Sequence, residues 1–499
     1  MAQRFVIAIH QTDAETRMAI IDRGGRIVAE AHNELRPVQP QHGWLEYDPN
    51  EIWAYIEGSL PDLITGVTLD MSHVAAIGIA GRPGPVVLWD PESGEPICNA
   101  IAADCPRTAS VCERLAAMDL ELTVRRKTGL PLTPRSSAAK IVWALDNVDG
   151  ARERAQSGDV LCGTLDSWLA WRLTGGRAHV TDHTNASRTL LYDIHARAWD
   201  EDLLAAFGIP LEMLPSIRPS SGAFAQTSGT RRTPAGLLIG GIVAGEAATL
   251  FAQGCHHRGT AKLTFADACV PVLNTGDEVV EPAAGVAATT VCGPTGEPLY
   301  ALEAQLPLGA TIIDWLRDGL GVIESGEEAA TLAGQADDAG GVRVIPAAGG
   351  GGRAAGWDIL GLSADATRAQ VVRASLEAVA HQAADALQAM AGSAGVGLQT
   401  VRADGPGARN DFLLQFEADM LDVLVERPVH LATRLMGAGF IAGLAAGFWT
   451  EAEETVSLLP VEQRFQPQMP HGERTRRRTA WREGLAAAQG LHAPPAPAD

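Results

Sequence analysis

Three short apolar runs crowd the first 34 residues, and they leave little freedom in how this chain begins. "RFVIAI", "RMAIID" and "RIVAEAHNE" each read as a strand, with "RGG" as the turn between the last two. Adjacent strands this short satisfy their backbone groups by antiparallel pairing. Asp48 then opens "DPNEIWAYIEGSLPDLI" as a candidate cap, its apolar residues recurring at helical spacing, and "VAAIGIA" follows as a continuous apolar run suited to a strand buried on both faces. Strand and helix alternate from there, which predicts an α/β fold. Past residue 250 a related order returns in "AKLTFADACVPVLNTGDEVV" and "AATTVCGPTGEPLYALEA", with turns expected at Asn274-Thr275-Gly276 and Pro294-Thr295-Gly296. The second half looks like another copy of the opening plan, without the residue-level period of a solenoid. Helices are predicted over Thr367 to Met390, which lacks internal Gly and Pro, and over Ala432 to Phe448, which is rich in small residues.

Composition narrows the partners. A chain of 499 residues with 46% hydrophobic content buries enough core for two domains. With 39 basic against 60 acidic residues, and one basic run, "ERTRRRTAWR", neither nucleic acid nor anionic membrane is an expected partner. The seven cysteines form no CxxC pair, so reduced thiols in a cytoplasm are expected and no metal site is. The N-terminus lacks the basic and apolar regions of a secretory signal. Leu435 to Trp449 is too short and too rich in Gly and Ala for a membrane span and predicts a tightly packed internal helix.

Seven segments carry a resemblance over nearly the whole length: "HGWLEYDPNEIW", "GEPICNAI", "GTLDSWLAWRLTGGRAHVTDHTNASRTLLYDIH", "NTGDEVV", "CGPTGEPLYALE", "FLLQFEADML" and "VERPVHLATRLMGAGFIAGLAAGFW". On these the chain resembles the glycerol kinases of the carbohydrate kinase family. The resemblance implies two actin-like, ribonuclease H-like domains around a cleft, here 1–250 on the substrate side and 251–485 on the nucleotide side. The remainder, 486–499, ends in "HAPPAPAD" and is expected to be a disordered tail. The resemblance also implies ATP and magnesium against the second domain, glycerol in the first, an Asp as general base, and a homo-oligomer, dimer or tetramer. Asp166, Trp168, His183, Asn185, Ser187 and Arg188 lie in the best-kept segment and are expected to hold the fold.

Departures from the family pattern fall where the chemistry is. Phosphoryl transfer needs close backbone approach to phosphate, charge neutralisation and a base. In the opening turn the family's Asp-Gln-Gly-Thr-Thr corresponds to His10, Gln11, Thr12, Asp13 and Ala14, and the second phosphate turn, Gly-Thr-Gly, corresponds to Ala266, Asp267 and Ala268. The base position corresponds to Gly245, with Glu246 beside it. An Arg-Glu pair maps to Pro83 and Gly84 after Arg82, a Trp to Ala103 before Asp104, a Tyr to Arg135 and a Phe to Val270. At the adenine end Gly405 and Asn410 are kept, although Asn410 also suits a plain helix start. The Gly349 to Gly352 run reads as a shortened loop, and Cys255-His256-His257 as a surface turn rather than a metal clip.

Because helix patterns and core strands are intact while the changes cluster in the cleft, the sequence favours a rewritten site. The expectation is a kinase-like protein that has lost ATP-dependent glycerol phosphorylation and holds a bulkier small-molecule ligand, either as a metal-independent acid-base enzyme or as a binding protein. His10, Glu246 and Asp267 would be its catalytic groups, and Asp13, Arg82, Ala103, Asp104, Arg135, Gly245 and Val270 would line the ligand. No cofactor is expected, ATP-magnesium entering only if kinase activity survives, and no metal site. Asp13 and Asp267 are expected to repel nucleotide phosphates. Two alternatives stand beside this reading: a pseudokinase partner of an active kinase, and a carbohydrate kinase with relocated catalytic residues.

Overall fold

The computed structural model describes residues 3–67, 71–230, 234–309, 311–346 and 356–491. Two mixed sheets organise them. The first runs, in spatial order, Ser221–Ser228, Ala235–Ala244, Val74–Gly81, Phe5–Gln11, Glu15–Asp22, Ile27–Glu34. Its three opening strands pair antiparallel as expected, and the fully buried Val74–Gly81 pairs parallel on both sides. The second sheet repeats the plan with one more strand: Ala287–Cys292, Pro298–Glu303, Cys269–Gly276, Ala261–Phe265, Thr400–Asp404, Leu424–Pro428, Val461–Phe465. Here too antiparallel strands flank a parallel centre. This is the two-domain, actin-like α/β fold that the sequence implies.

Local chemistry explains the elements. Helix Pro49–Gly66 starts where the Asp48 carboxylate accepts from Asn50 N at 2.8 Å, with Pro at a first-turn position that needs no amide donor. Helix Arg368–Ala394 begins at a capping box between Thr367 and Gln370 and stops at Gly395, whose φ of 62° only glycine adopts without strain. Two local expectations change. The strand through Asn274 and Thr275 continues to Gly276, both side chains being fully buried. Residues 486–491 belong to helix His471–Leu491 rather than to a tail, because that helix lays Trp481 and Ala488 into the core. Residues 492–499 and the Gly349 to Gly352 run lie outside the described residues.

Helix Thr433–Ala445 comes from the C-terminal half of the chain and packs on the first sheet. The contact depends on atoms that are absent. A Cβ at Gly78 would stand 1.9 Å from the Ala438 carbonyl oxygen, and Cβ atoms at Gly240 and Gly241 would meet the Ala442 backbone at 2.8 and 2.9 Å. Small residues on both surfaces therefore let helix and sheet backbones touch. The run is a packed internal helix, and no helix among the described residues is long and apolar enough to cross a membrane.

Gly78→Ala tests this contact. With backbone on the opposing side there is no rotamer to yield, so unfolding free energy should fall by about 3 kcal/mol, the upper part of the overpacking range. Urea denaturation measures it, and a change below about 0.5 kcal/mol would show that helix and sheet are free to separate.

Candidate active site

Parallel strands deliver their carboxyl ends to one edge, which in open α/β sheets is where ligands bind. In the first sheet Gln11 pairs with Gly81 and Ala244 pairs with Gly81, so three chain exits lie side by side: Thr12–Asp13, Arg82 and Gly245. In the second sheet Thr264 pairs with Asp404 at the equivalent edge. Glu246, just after the first sheet, bonds Lys262 of the second, which ties the two edges together.

On the first-sheet side, charge is matched to charge. Arg82 donates to Asp13 Oδ1 at 2.8 Å and to Asp104 Oδ2 at 2.9 Å, and Arg135 reaches Asp104 Oδ1 at 2.8 Å. The second oxygen of Asp13 accepts from Ala103 N at 2.8 Å. Burial works against the Arg82 charge, and Asp13 and Asp104 more than restore it. Beneath this wall Lys140, fully buried, donates to the carbonyls of Arg135 at 2.7 Å and of Ala103 and Pro134 at 3.3 Å. Burial pushes its ammonium down to about 7, but three carbonyl acceptors need all three protons, so we assign it as charged. It fixes the loops that carry Asp104 and Arg135.

The floor of the site is a second charge cluster. Glu246 accepts from Lys262 and from Arg434. Burial alone would raise its carboxyl; the Arg434 and Lys262 charges hold it well below the usual carboxylate range. Gly245 lies under this cluster, with room for a Cβ at 3.4 Å from Arg434 Cδ. His10 is in strand Phe5–Gln11, 5% exposed, and burial together with the Arg434 and Arg17 charges lowers it to about 3. It is a neutral core imidazole.

Opposite stands Asp404, which accepts from Thr264 Oγ1 at 2.5 Å and from Thr433. Burial raises its carboxyl against the Lys262 charge and these two bonds. Gly405 follows at φ 83°, where a Cβ would meet the Phe265 carbonyl oxygen at 2.5 Å, so no other residue fits the turn. Asn410 caps helix Asp411–Leu421 by accepting from Leu413 N at 3.0 Å.

Several sequence expectations are corrected by these positions. No hydrogen bond joins His10 to Glu246 among the described residues: the first is a buried ring, and the second is the counter-ion of two cations. Asp13 does not confront a phosphate with bare charge, since Arg82 and the Ala103 amide hold both oxygens. Asp267 stands exposed in the hairpin before Cys269–Gly276, and buried Val270 contributes its carbonyl to Lys262 at 3.4 Å. Cys255 and His256 are buried rather than in a surface turn, the ring bonding the Phe251 carbonyl at 2.9 Å, and no metal-ligating cluster occurs among the described residues. In the best-kept segment Asp166 accepts from Thr181 at 2.8 Å, His183 bonds Tyr192 at 2.8 Å, and Arg188 reaches across to Glu303 at 2.7 Å.

Sequence reasoning missed Lys140, Lys262 and Arg434. Their signal is present: each is the only charge in an apolar stretch, "SAAKIVWAL", "AKLTFA" and "TRLMGAGF". A lone charge entering a core must find a partner there.

The two-domain fold is that of the sugar kinases, and comparison with known proteins agrees. Residues 5–250 match the N-terminal domain of the FGGY family of carbohydrate kinases, and residues 266–446 match its C-terminal domain. The chain belongs to the FGGY family of carbohydrate kinases. It is 41% identical to the glycerol kinase of Carboxydothermus hydrogenoformans, across 98% of this chain and 99% of that one. It is 40% identical to a glycerol kinase of Vibrio cholerae, across 98% and 97%. Among solved structures it resembles Plasmodium falciparum glycerol kinase with ADP, at a TM-score of 0.90 and 26% identity over 98% of both chains. It shares the fold of Rhodospirillum rubrum xylulose kinase, at a TM-score of 0.84 and 22% identity. This similarity along the entire chain overturns the expectation of lost phosphorylation and a bulkier ligand.

The buried charges have measurable consequences. Glu246→Gln leaves Lys262 and Arg434 uncompensated and should lower stability by about 3 kcal/mol in urea denaturation; an unchanged midpoint would mean that Glu246 is a free group. Burial also holds His10 and His381 at about 3 and His179 at about 4, against 6.5 for an ordinary imidazole. Through these rings the unfolded chain binds more protons in that window, so their contribution to stability is full above 6.5 and is lost as pH drops toward 4, while Asp166, which burial raises to about 6, works in the opposite direction. Chemical denaturation at successive pH values should therefore show a smaller acid-side loss in His381→Gln than in the parent. Equal pH dependence in the two proteins would contradict the burial of His381.

Proposed function

We propose that this chain is an ATP-dependent kinase of a small polyol, with glycerol as the first substrate to test. The observation that carries the reading is 41% identity to a glycerol kinase over 98% of the chain. The site chemistry supports it. The wall of Asp13, Arg82, Asp104 and Arg135 presents fixed donors and acceptors of the kind that bind hydroxyl groups, in place of the family side chains that the sequence lacks. Lys262 and Arg434 bring cations to the floor, where charge on a transferring phosphoryl group needs neutralising. Because such transfer depends mainly on positioning and electrostatics, it asks little of a base.

Gly245 has no carboxylate, and Glu246 is held ionised by two cations. The proton acceptor is therefore assigned to Asp13, whose oxygens keep free lone pairs beyond the bonds to Arg82 and Ala103. Magnesium arriving with the nucleotide needs one or two carboxylates besides the phosphates, and Asp404 would supply one from the second-sheet side, leaving Asp13 as the base. The seven free thiols suit a cytoplasmic enzyme.

A coupled assay of ADP release tests the reading, with glycerol and then longer polyols as acceptors. Glycerol-dependent turnover is expected, and Asp13→Asn should lower kcat by about a hundredfold. Absence of polyol-dependent ADP release would overturn the function; full activity in Asp13→Asn would overturn the assigned base.

A further inference from the structure

Away from the cleft, the one basic run of this acidic chain has a use that the kinase reading does not absorb. It lies on helix His471–Leu491, and most of its arginines are balanced. Arg474 pairs with Asp422, Arg477 with Glu377 and Glu473, and Arg478 with Asp385, to which Arg482 also turns at 3.8 Å. Arg476 has no carboxylate partner among the described residues. It lines a cavity of about 340 Å³ between this helix, strand Arg343–Pro346 and helix Arg368–Ala394. Arg343, equally without a carboxylate partner among the described residues, lines the same cavity.

Arg343 is half-buried and Arg476 exposed, so both guanidiniums are open to an anion that enters the cavity from solvent. The carboxylates that line the cavity do not occupy them. Glu377 is engaged by Arg373 at 2.7 Å and Arg477 at 3.0 Å, Glu473 by Arg477 at 2.9 Å, and the exposed Asp338 accepts from Gly340 N at 2.7 Å. The remaining wall is apolar: Ala374, Ala378, Ala480 and the Trp481 indole, whose ring stacks on buried His381 at 5.2 Å. We propose that this cavity is a second ligand site, which binds a small phosphorylated metabolite. Arg343 and Arg476 take the phosphate, a dianion suited to two guanidinium forks, and the alanine and indole faces take its carbon skeleton. The volume lies at the small end of the range for ligand pockets. The site is independent of the cleft and does not require the kinase reading to hold.

Titration calorimetry with inorganic phosphate and with glycerol 3-phosphate, at constant ionic strength, tests the proposal. Saturable binding is expected for both, weakened about tenfold or more in the Arg343→Ala/Arg476→Ala double variant. Among the described residues neither arginine makes an ion pair, so the double variant should fold, which circular dichroism verifies; Arg343→Lys/Arg476→Lys should recover part of the affinity. Binding should persist in Arg82→Ala, which alters only the cleft. No saturation at millimolar concentrations, equal affinity in the double variant, or loss in Arg82→Ala would each overturn the proposal.

Discussion

The contact between helix Thr433–Ala445 and the first sheet is the constraint on which the site depends. Gly78 and the Ala438 carbonyl approach so closely that a single methyl group would separate them. Interiors this tightly packed do not deform continuously. A helix built from the C-terminal half of the chain is thereby fixed to a sheet built from the N-terminal half, and its first turn is fixed with it. That first turn carries Thr433 and Arg434, so a steric contact in the core sets the position of two polar groups at the site.

Electrostatics then decide what those groups can do. Glu246 is buried, and burial alone would favour its neutral acid. Two cations overcome that preference, and the carboxylate becomes the joint between Lys262 and Arg434. The same logic holds at the first wall, where Asp13 is enclosed but meets a guanidinium and an amide. Glu246, Asp13 and Asp404 each take a partner from a distant part of the chain, as burial of ions requires. The arrangement holds the two edges together.

Much of the fold is legible in the sequence because strand signals and helix caps are local. The opening strands, the buried Val74–Gly81, the Asp48 cap and the small-residue helix are read from a few adjacent residues. The site is less legible because its partners are not adjacent. Asp13 reads as a repulsive charge until Arg82, 69 residues away, is placed against it. Arg135 reads as a lost aromatic until Asp104 receives it. His10 ends an apolar run and looks like a group at a strand end, but its strand continues one residue further and turns the ring inward. Likewise Cys255 and His256 look solvent-facing by composition, and they are buried because the His256 ring packs on Phe251 while Cys255 bonds Asn274 and Ala261 of the second sheet.

The proposed kinase activity requires that core packing place a cation at the cleft floor to receive nucleotide phosphates. Titration calorimetry of magnesium-ATP against the parent protein and Arg434→Met measures it most directly. One saturable site in the parent, weakened by about tenfold or more in the variant, is the predicted result. Absence of magnesium-ATP binding to the parent, or equal affinity in the two proteins, would contradict it.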